Sequence, residues 1–259
     1  MDYRCTALIA GLFVVLFMCC AGCVSETATP AGHTYYTEQY PPYNYEENGT
    51  LKGIAVDLLV EMTGRMGSPV KADAIRLVPW TEGYREALAG NNVVLFSTVR
   101  LPERENLFKW AGPIVTERKV LFARSESKIL IEKPGDLAGY RIGVVTDDAA
   151  IGELAALGIN PESLIADPDP SVVLGMLLDG KIDLFAYGKD AGEYLAQDRM
   201  GDISSTRVVY QLGAYDLYYA FNNKTPDAVV QEYQQSLDAL KKETGPDGVS
   251  TYERIVGRY

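Results

Sequence analysis

The side chains most often used for nucleophilic and metal chemistry are scarce in this sequence. The single histidine is His33, and the four cysteines, Cys5, Cys19, Cys20 and Cys23, all lie within the first 23 residues. None of them has the spacing of a zinc-ligand set. The sequence also contains no G-x-S-x-G, no P-loop and no nucleophile–histidine pair. We therefore expect no metal, no cofactor and no covalent catalysis.

The charge balance narrows the possible partners. The 259 residues include 24 Lys and Arg against 35 Asp and Glu, which gives a formal net charge of -11. A nucleic-acid surface favours clustered cations because they release its counterions, so this balance argues against nucleic acid as a partner. Hydrophobic residues make up 47% and charged residues 23% of the chain, as in an ordinary globular protein.

The N-terminal segment has the features of a targeting signal. Residues 7–21 are nearly all apolar, but a membrane span needs about 20 such residues, so the run is better suited to the apolar core of a secretory signal. Small residues directly before Cys23 resemble the lipobox of bacterial lipoproteins. We expect residues 1–22 to be a signal peptide, Cys23 to be lipidated and residues 23–32 to be a tether. A simple N-terminal membrane anchor is the alternative.

Strand and helix patterns alternate through the rest of the chain. Apolar runs at 93–96, 141–145 and 184–187 predict buried strands. A helical period follows Gly53, and a second, longer one follows Thr225. Alternating strands and helices predict an α/β fold with largely parallel sheets.

Several motifs, taken in order, carry a family resemblance. They lie at 40–45, 53–58, 79–80, 97–104, 108–113 and 136–144. Together they resemble the family 3 extracellular solute-binding proteins, which are type 2 periplasmic binding proteins of the amino-acid-binding type. The resemblance covers nearly the whole mature chain. It implies a two-lobed α/β fold with two crossover hinge strands, in which hinge closure traps a ligand between the lobes.

The resemblance also implies how the chain is divided. Lobe 1 would comprise residues 33–120 plus 221–259, and lobe 2 would comprise residues 121–220. The crossovers are expected near 120–123 and 217–221. The cleft would then lie at the carboxyl ends of parallel strands, where ligands bind in open α/β sheets.

Four polar residues of lobe 1 follow one predicted strand. Arg104 matches the arginine that binds the ligand's α-carboxylate in amino-acid-binding members, and a guanidinium can bind a carboxylate through two hydrogen bonds. Arg100 is a second cation on the same loop, so which arginine points inward stays open. Ser97 and Thr98 are expected either to face the cleft or to cap the loop.

Aromatic walls and a second-lobe turn complete the predicted site. Tyr43 matches an aromatic that stacks on the ligand in many relatives, and Trp80 is expected at a second wall. In amino-acid-binding members the turn after the strand at 141–145 has small residues, whereas this chain has Asp147 and Asp148 there. These acids either cap a helix or bind a cationic or polyhydroxy group. Gly188 stands where the family has an ammonium-binding aspartate, so we expect a ligand other than a plain α-amino acid.

The resemblance implies a lipid-anchored extracytoplasmic solute-binding protein. It would be a monomer in the periplasm or on the outer face of the cytoplasmic membrane, passing a small polar, amino-acid-like ligand to an ABC permease. One alternative is a periplasmic dehydratase-like enzyme that draws its acid and base from Asp147, Asp148, Asp190 and Glu193. The other alternative is the ligand-sensing module of a signalling system.

Replacement of Cys23 tests the lipid anchor. Two or more acyl chains hold a protein stably on a membrane, since each buried methylene contributes about 0.8 kcal/mol. The Cys23→Ser variant should therefore appear in the soluble fraction or remain unprocessed when cells are fractionated. A processed Cys23→Ser protein that still sediments with membranes would contradict the prediction.

Overall fold

The structure is a computed structural model that describes residues 32–200 and 203–259. The predicted signal peptide, Cys23 and nearly all of the predicted tether lie outside the described residues. Within these ranges, no helix combines the length and the apolar character needed to cross a membrane.

The described chain alternates strands and helices, as the sequence pattern predicts. The strands are β1 (Thr34–Thr37), β2 (Tyr45–Glu47), β3 (Thr50–Lys52), β4 (Arg76–Leu77), β5 (Val93–Val99), β6 (Phe108–Ala111), β7 (Thr116–Arg124), β8 (Ile142–Val145), β9 (Ile165–Asp167), β10 (Leu184–Gly188) and β11 (Thr206–Asn222). The helices are α1 (Ile54–Arg65), α2 (Trp80–Ala89), α3 (Ala149–Ala156), α4 (Pro170–Leu178), α5 (Lys189–Met200), α6 (Asp227–Lys242) and α7 (Thr251–Val256). The three predicted strands correspond to β5, β8 and β10, and the two predicted helices correspond to α1 and α6, so these predictions are confirmed.

One sheet runs through the molecule in the order β4-β1-β5-β11-β7-β10-β8-β9, with β6 paired to β11, and β2 and β3 form a separate hairpin. Its first half comprises β4, β1, β5, β6 and residues 217–222 of β11. Its second half comprises residues 206–216 of β11 with β7, β10, β8 and β9. The long strand β11 therefore belongs to both halves.

The prediction of largely parallel sheets needs a correction. Strand β1 is parallel to β4 and β5, and β8 is parallel to β9 and β10. Strands β7 and β11, however, pair antiparallel with each other and with their other neighbours. The sheet is mixed because the chain enters the second half along β7 and returns along β11, so these two strands must run in opposite directions.

Helix α1 packs the first half of the molecule against α6. Its residues Leu58 and Met62 are fully buried, as are Tyr233 and Leu237 of α6. Gly53 directly precedes α1 with a φ of 125°, and a β-carbon there would lie 2.5 Å from the Tyr43 carbonyl oxygen. Glycine is needed at this position because the loop before β2 passes directly over the start of the helix.

Truncation of a core residue in α1 should destabilise the fold. We expect Leu58→Ala to lower the free energy of unfolding by about 2–5 kcal/mol, because it removes a buried side chain and leaves a cavity. The matched control is Leu130→Ala, whose side chain is 68% exposed and should change stability by less than about 0.5 kcal/mol. Urea unfolding measures both, and equal losses in the two variants would contradict the assigned burial.

Candidate functional site

A cluster of polar side chains joins the two halves of the sheet at the ends of β5 and β8. Arg104 follows β5 in a short 3₁₀ turn and is 6% exposed. Its guanidinium lies over the rings of Trp80 and Tyr84, each at 5.3 Å from the ring centroid. Its Nη2 donates a hydrogen bond of 2.8 Å to the carbonyl oxygen of Asp147, which follows β8. Trp80 Nε1 donates to the same carbonyl at 3.2 Å, so this carbonyl of the second half receives two donors from the first.

The other arginine of this loop faces solvent. Arg100 is paired with Glu105, to whose Oε2 its Nε donates at 2.7 Å, and its guanidinium also lies near the rings of Trp110 and Tyr218. Arg100 contributes to neither of the two cavities described below, whereas Arg104 lines the smaller one. Of the two arginines, Arg104 is therefore the one placed to meet a small molecule between the halves.

A small cavity of about 20 Å³ lies next to the Arg104 guanidinium. Its lining contains two further buried charges, Lys119 and Glu117, on the inward face of β7. Lys119 Nζ lies 3.0 Å from Asp148 Oδ2, 3.3 Å from Glu117 Oε1 and 3.2 Å from the Tyr40 hydroxyl. The Tyr40 hydroxyl in turn donates to Glu117 Oε2. Four side chains from three separate parts of the chain thus form one polar network, in which Asp148 is partly buried and the other three are buried.

Burial and charge act in opposite directions on these groups. Burial would lower the pKa of Lys119, but the carboxylates of Asp148 and Glu117 outweigh it and hold its pKa above the ordinary value. Burial raises the pKa of Glu117, against the attraction of Lys119. Burial also raises the pKa of Tyr40, and the nearby Glu117 carboxylate raises it further. Lys119 is therefore charged and Tyr40 neutral at ordinary pH.

The two adjacent acids of the second-half turn have different roles. Asp148 caps α3, accepting a hydrogen bond from the Ala150 N–H at 2.8 Å, and it also binds the Lys119 cation. The helix-capping interpretation of this acid therefore applies, and the cation that Asp148 binds belongs to the chain itself. The Asp147 side chain is exposed, and its φ of 60° places it in the left-handed region. Asp147 contributes its backbone carbonyl to the cluster, not its carboxylate.

A larger cavity of about 390 Å³ opens beside the small one. Glu38 and Trp80 line both cavities. Most of the larger cavity is apolar or aromatic, with further walls from Pro41, Leu77, Val78, Pro79, Pro168, Pro170, Tyr187, Ala191, Tyr194 and Leu195. Its polar members besides Glu38 are Gln39, Asp169, Ser171 and Asp198. The two cavities together offer a polar end and a broad apolar body.

The remaining predicted site residues lie at different depths. Ser97 lines the small cavity, and its hydroxyl donates to Asn44 Oδ1. Thr98 is fully buried, lines neither cavity and donates to the Leu95 carbonyl at 3.4 Å. Tyr43 lines neither cavity either; its hydroxyl donates to Asp190 Oδ2 at 3.3 Å, beside a separate surface cavity of about 490 Å³.

Sequence reasoning missed Tyr40, Glu117, Lys119 and Glu38 as members of the site. A signal for two of them exists in β7. Glu117 and Lys119 are two residues apart and therefore share one face of the strand, and both are buried. Two charges of opposite sign on the buried face of an apolar strand indicate a polar network rather than ordinary core.

The comparisons with known proteins agree with this architecture. The sequence profile of the bacterial extracellular solute-binding proteins, family 3, matches residues 34–252. No curated protein matches the chain at a significant level.

Several solved structures share the fold. A histidine kinase sensor domain with similarity to periplasmic binding proteins superimposes with a TM-score of 0.75 at 23% identity, covering 87% of this chain and 96% of that one. A mutant of the arginine-binding protein ArgBP from T. maritima superimposes with a TM-score of 0.72 at 17% identity, covering 88% of this chain and 94% of that one. The arginine-, lysine-, histidine-binding protein ArtJ from Geobacillus stearothermophilus superimposes with a TM-score of 0.70 at 15% identity, with the same coverage of 88% of this chain and 94% of that one. These likenesses show that the chain has the two-lobed fold of periplasmic binding proteins.

The carboxyl of Glu38 should make stability depend on pH. Burial, together with the nearby Asp148, raises its pKa from an ordinary 4.5 to about 8, against the attraction of Lys119 and Arg104. Because the folded-state pKa is the higher one, ionisation opposes folding, and stability is lost as pH rises from 4.5 towards 8. The Glu38→Gln variant should therefore melt above the wild type at pH 8, with a gap that shrinks towards pH 4.5.

Thermal unfolding across this pH range measures the effect. The control is Glu46→Gln, on the exposed hairpin of β2 and β3, which should follow the wild-type melting curve at every pH. A Glu38→Gln protein that melts below the wild type at pH 8, or with the same gap at every pH, would contradict the prediction.

Proposed function

The chain belongs to the bacterial extracellular solute-binding proteins of family 3, and we propose that it captures a small polar organic ligand between its two lobes and delivers it to an ABC permease. In this proposal residues 33–120 plus 221–259 form lobe 1, and residues 121–220 form lobe 2. The protein acts as a monomeric binding protein and not as an enzyme. Lipid attached to Cys23 holds it in the periplasm or on the outer face of the cytoplasmic membrane.

The observation that carries the proposal is the contact between Arg104 and the Asp147 carbonyl. A guanidinium has five N–H donors in a fork that suits a carboxylate, and Arg104 uses two of its nitrogens on the Val99 and Asp147 carbonyls. When a ligand carboxylate replaces the Asp147 oxygen, it receives a charged hydrogen bond from a buried guanidinium. Trp80, whose indole donates to the same oxygen, then adds a second donor.

The larger cavity accommodates the rest of the ligand. It adjoins the small cavity at Glu38 and Trp80, so a molecule whose carboxylate lies at Arg104 can extend along its apolar and aromatic walls. A volume of about 390 Å³ falls in the range of roughly 300–1,000 Å³ typical of ligand pockets. The proposed ligand is therefore amino-acid-like in size but carries an apolar body.

The remaining residues named from the sequence have supporting roles in this proposal. Ser97 and Thr98 shape the end of β5 beside Arg104. Tyr43 supports the loop that carries Tyr40, since the two rings pack at a centroid distance of 5.3 Å. Asp148 holds Lys119.

The alternative is a ligand-sensing module of a signalling system. Its support is that the fold is shared with a histidine kinase sensor domain, 96% of which is covered. Affinity purification from membranes distinguishes the two roles. An importer should bring down an ABC permease, and a sensor should bring down a signalling receptor. The dehydratase-like alternative predicts a chemically modified ligand after incubation, which mass spectrometry detects.

Two arginine variants test the proposed site. Calorimetry against a panel of organic acids, amino acids, amines and peptides first identifies a binding compound. Arg104→Ala should then weaken its binding by about 2–5 kcal/mol, which is more than tenfold, because the ligand carboxylate is left unpaired in a buried site. Arg100→Ala is the matched control, since it removes an exposed ion pair worth roughly 0–1 kcal/mol. Full affinity in Arg104→Ala together with a loss in Arg100→Ala would move the anion site to Arg100.

A further inference from the structure

The surroundings of Lys119 have the chemistry of an ammonium-binding site. Its Nζ is 3.0 Å from Asp148 Oδ2 and 3.3 Å from Glu117 Oε1, and it donates to the Tyr40 hydroxyl at 3.2 Å. It also lies over two aromatic rings, at 5.3 Å from the centroid of Tyr40 and 5.7 Å from that of Tyr187. Carboxylates, a phenol oxygen and aromatic faces are the groups by which proteins bind amine ligands. We call these four residues, Tyr40, Glu117, Asp148 and Tyr187, the ammonium cage.

The cage occupies the space in front of Gly188. Gly188 pairs with Lys119 across the antiparallel ladder of β10 and β7. A β-carbon at Gly188 would collide with the Tyr40 hydroxyl and would lie 3.0 Å from Glu117 Oε2. Any side chain at position 188 would therefore displace Tyr40 and Glu117, so glycine at this position and the cage depend on each other.

The cage and the proposed anion site share one cavity. Arg104, Lys119, Glu117 and Asp148 all line the same space of about 20 Å³. A ligand whose carboxylate binds Arg104 therefore brings the substituents of its α-carbon close to Lys119. An α-ammonium group there would meet a buried cation of the same sign whose carboxylate partners are already engaged, and like charges at short range repel more strongly where the charge is buried than in water.

We infer that Lys119 fills the ammonium site of the cleft with the chain's own cation, and that the ligand is accordingly a carboxylate without a free α-ammonium group. This inference rests on the proposed function. It makes Lys119 the residue that determines specificity, since it excludes plain amino acids while the Arg104 contact and the apolar cavity remain usable. Deaminated and N-acylated relatives of amino acids have the required chemistry.

Chemical rescue tests whether Lys119 occupies such a site. Lys119→Ala removes three methylenes and the ammonium, which together correspond to n-propylammonium. The variant should melt below the wild type because the buried Glu117 and the partly buried Asp148 lose their partner. Added n-propylammonium should bind it saturably and raise its melting temperature by several degrees, and propan-1-ol, which is neutral and of similar size, should not.

The controls separate this effect from general salt or amine effects. Wild-type protein should show no saturable response to n-propylammonium, because its own lysine fills the cage. Lys52→Ala is the matched variant: Lys52 also lies over a tyrosine, Tyr45, and pairs with Glu47, but on the surface. It should not be rescued.

The rescue can be read out even for an unstable variant. If Lys119→Ala does not fold alone, it is refolded from denaturant with each additive, and recovery with n-propylammonium but not with propan-1-ol supports the inference. Equal responses to the two additives, or recovery with neither, would reject it. Rejection by this experiment would not reject the proposed function, provided that calorimetry still shows ligand binding that depends on Arg104.

Matched ligand pairs test the consequence for specificity. Calorimetry compares phenylalanine with 3-phenylpropanoate, and norleucine with hexanoate, on the wild type and on Lys119→Ala. In any pair that binds, the deaminated acid should bind the wild type at least tenfold more tightly, and the variant should narrow this gap. An amino acid that binds the wild type as tightly as its deaminated partner would overturn the inference. Where neither member binds, the rescue experiment decides.

Discussion

Two buried cations depend on partners from both halves of the sheet, and this requirement organises the cleft. A charge removed from water must be paired or hydrogen-bonded, because otherwise its desolvation opposes folding. Arg104 comes from the first half and reaches the Asp147 carbonyl of the second. Lys119 comes from β7 and takes Tyr40 from the first half and Asp148 from the second. The halves are therefore joined by polar contacts at the point where a ligand would bind.

The architecture of the sheet makes this arrangement possible. Strands β7 and β11 pair antiparallel along most of their length and connect the halves, so residues early in β7 lie between them. Glu117 and Lys119 occupy these early positions, with side chains 1% and 2% exposed. A charged pair in this place stabilises little by itself, since desolvation offsets much of its attraction. Its contribution is to define which chemical groups the cleft can accept.

The cleft also combines a charged cavity with an adjoining, mainly apolar one. The small cavity is bounded by charged side chains, whereas the adjoining larger cavity is bounded mainly by proline, leucine and aromatic residues. Trp80 belongs to both: its ring packs against the Arg104 guanidinium, and its indole N–H donates to Asp147. A ligand with one anionic end and an apolar body complements this division, and the proposed function follows from that complementarity.

The sequence by itself determined several of the elements and the family. Apolar runs and helical periods depend on burial and local geometry, so they predicted β5, β8, β10, α1 and α6. The ordered motifs predicted the solute-binding fold, in which the resemblance places Arg104 at the expected anion position. Tertiary structure alone decided that Arg104 rather than Arg100 is buried, and that Asp147 acts through its carbonyl. It also decided the ammonium cage, because Tyr40 lies 77 residues from Glu117 and 79 from Lys119 along the chain. Local sequence patterns indicate which face of an element is buried. Only the packing of β7 against the loop after β1 brings the Tyr40 hydroxyl into contact with Glu117 and Lys119.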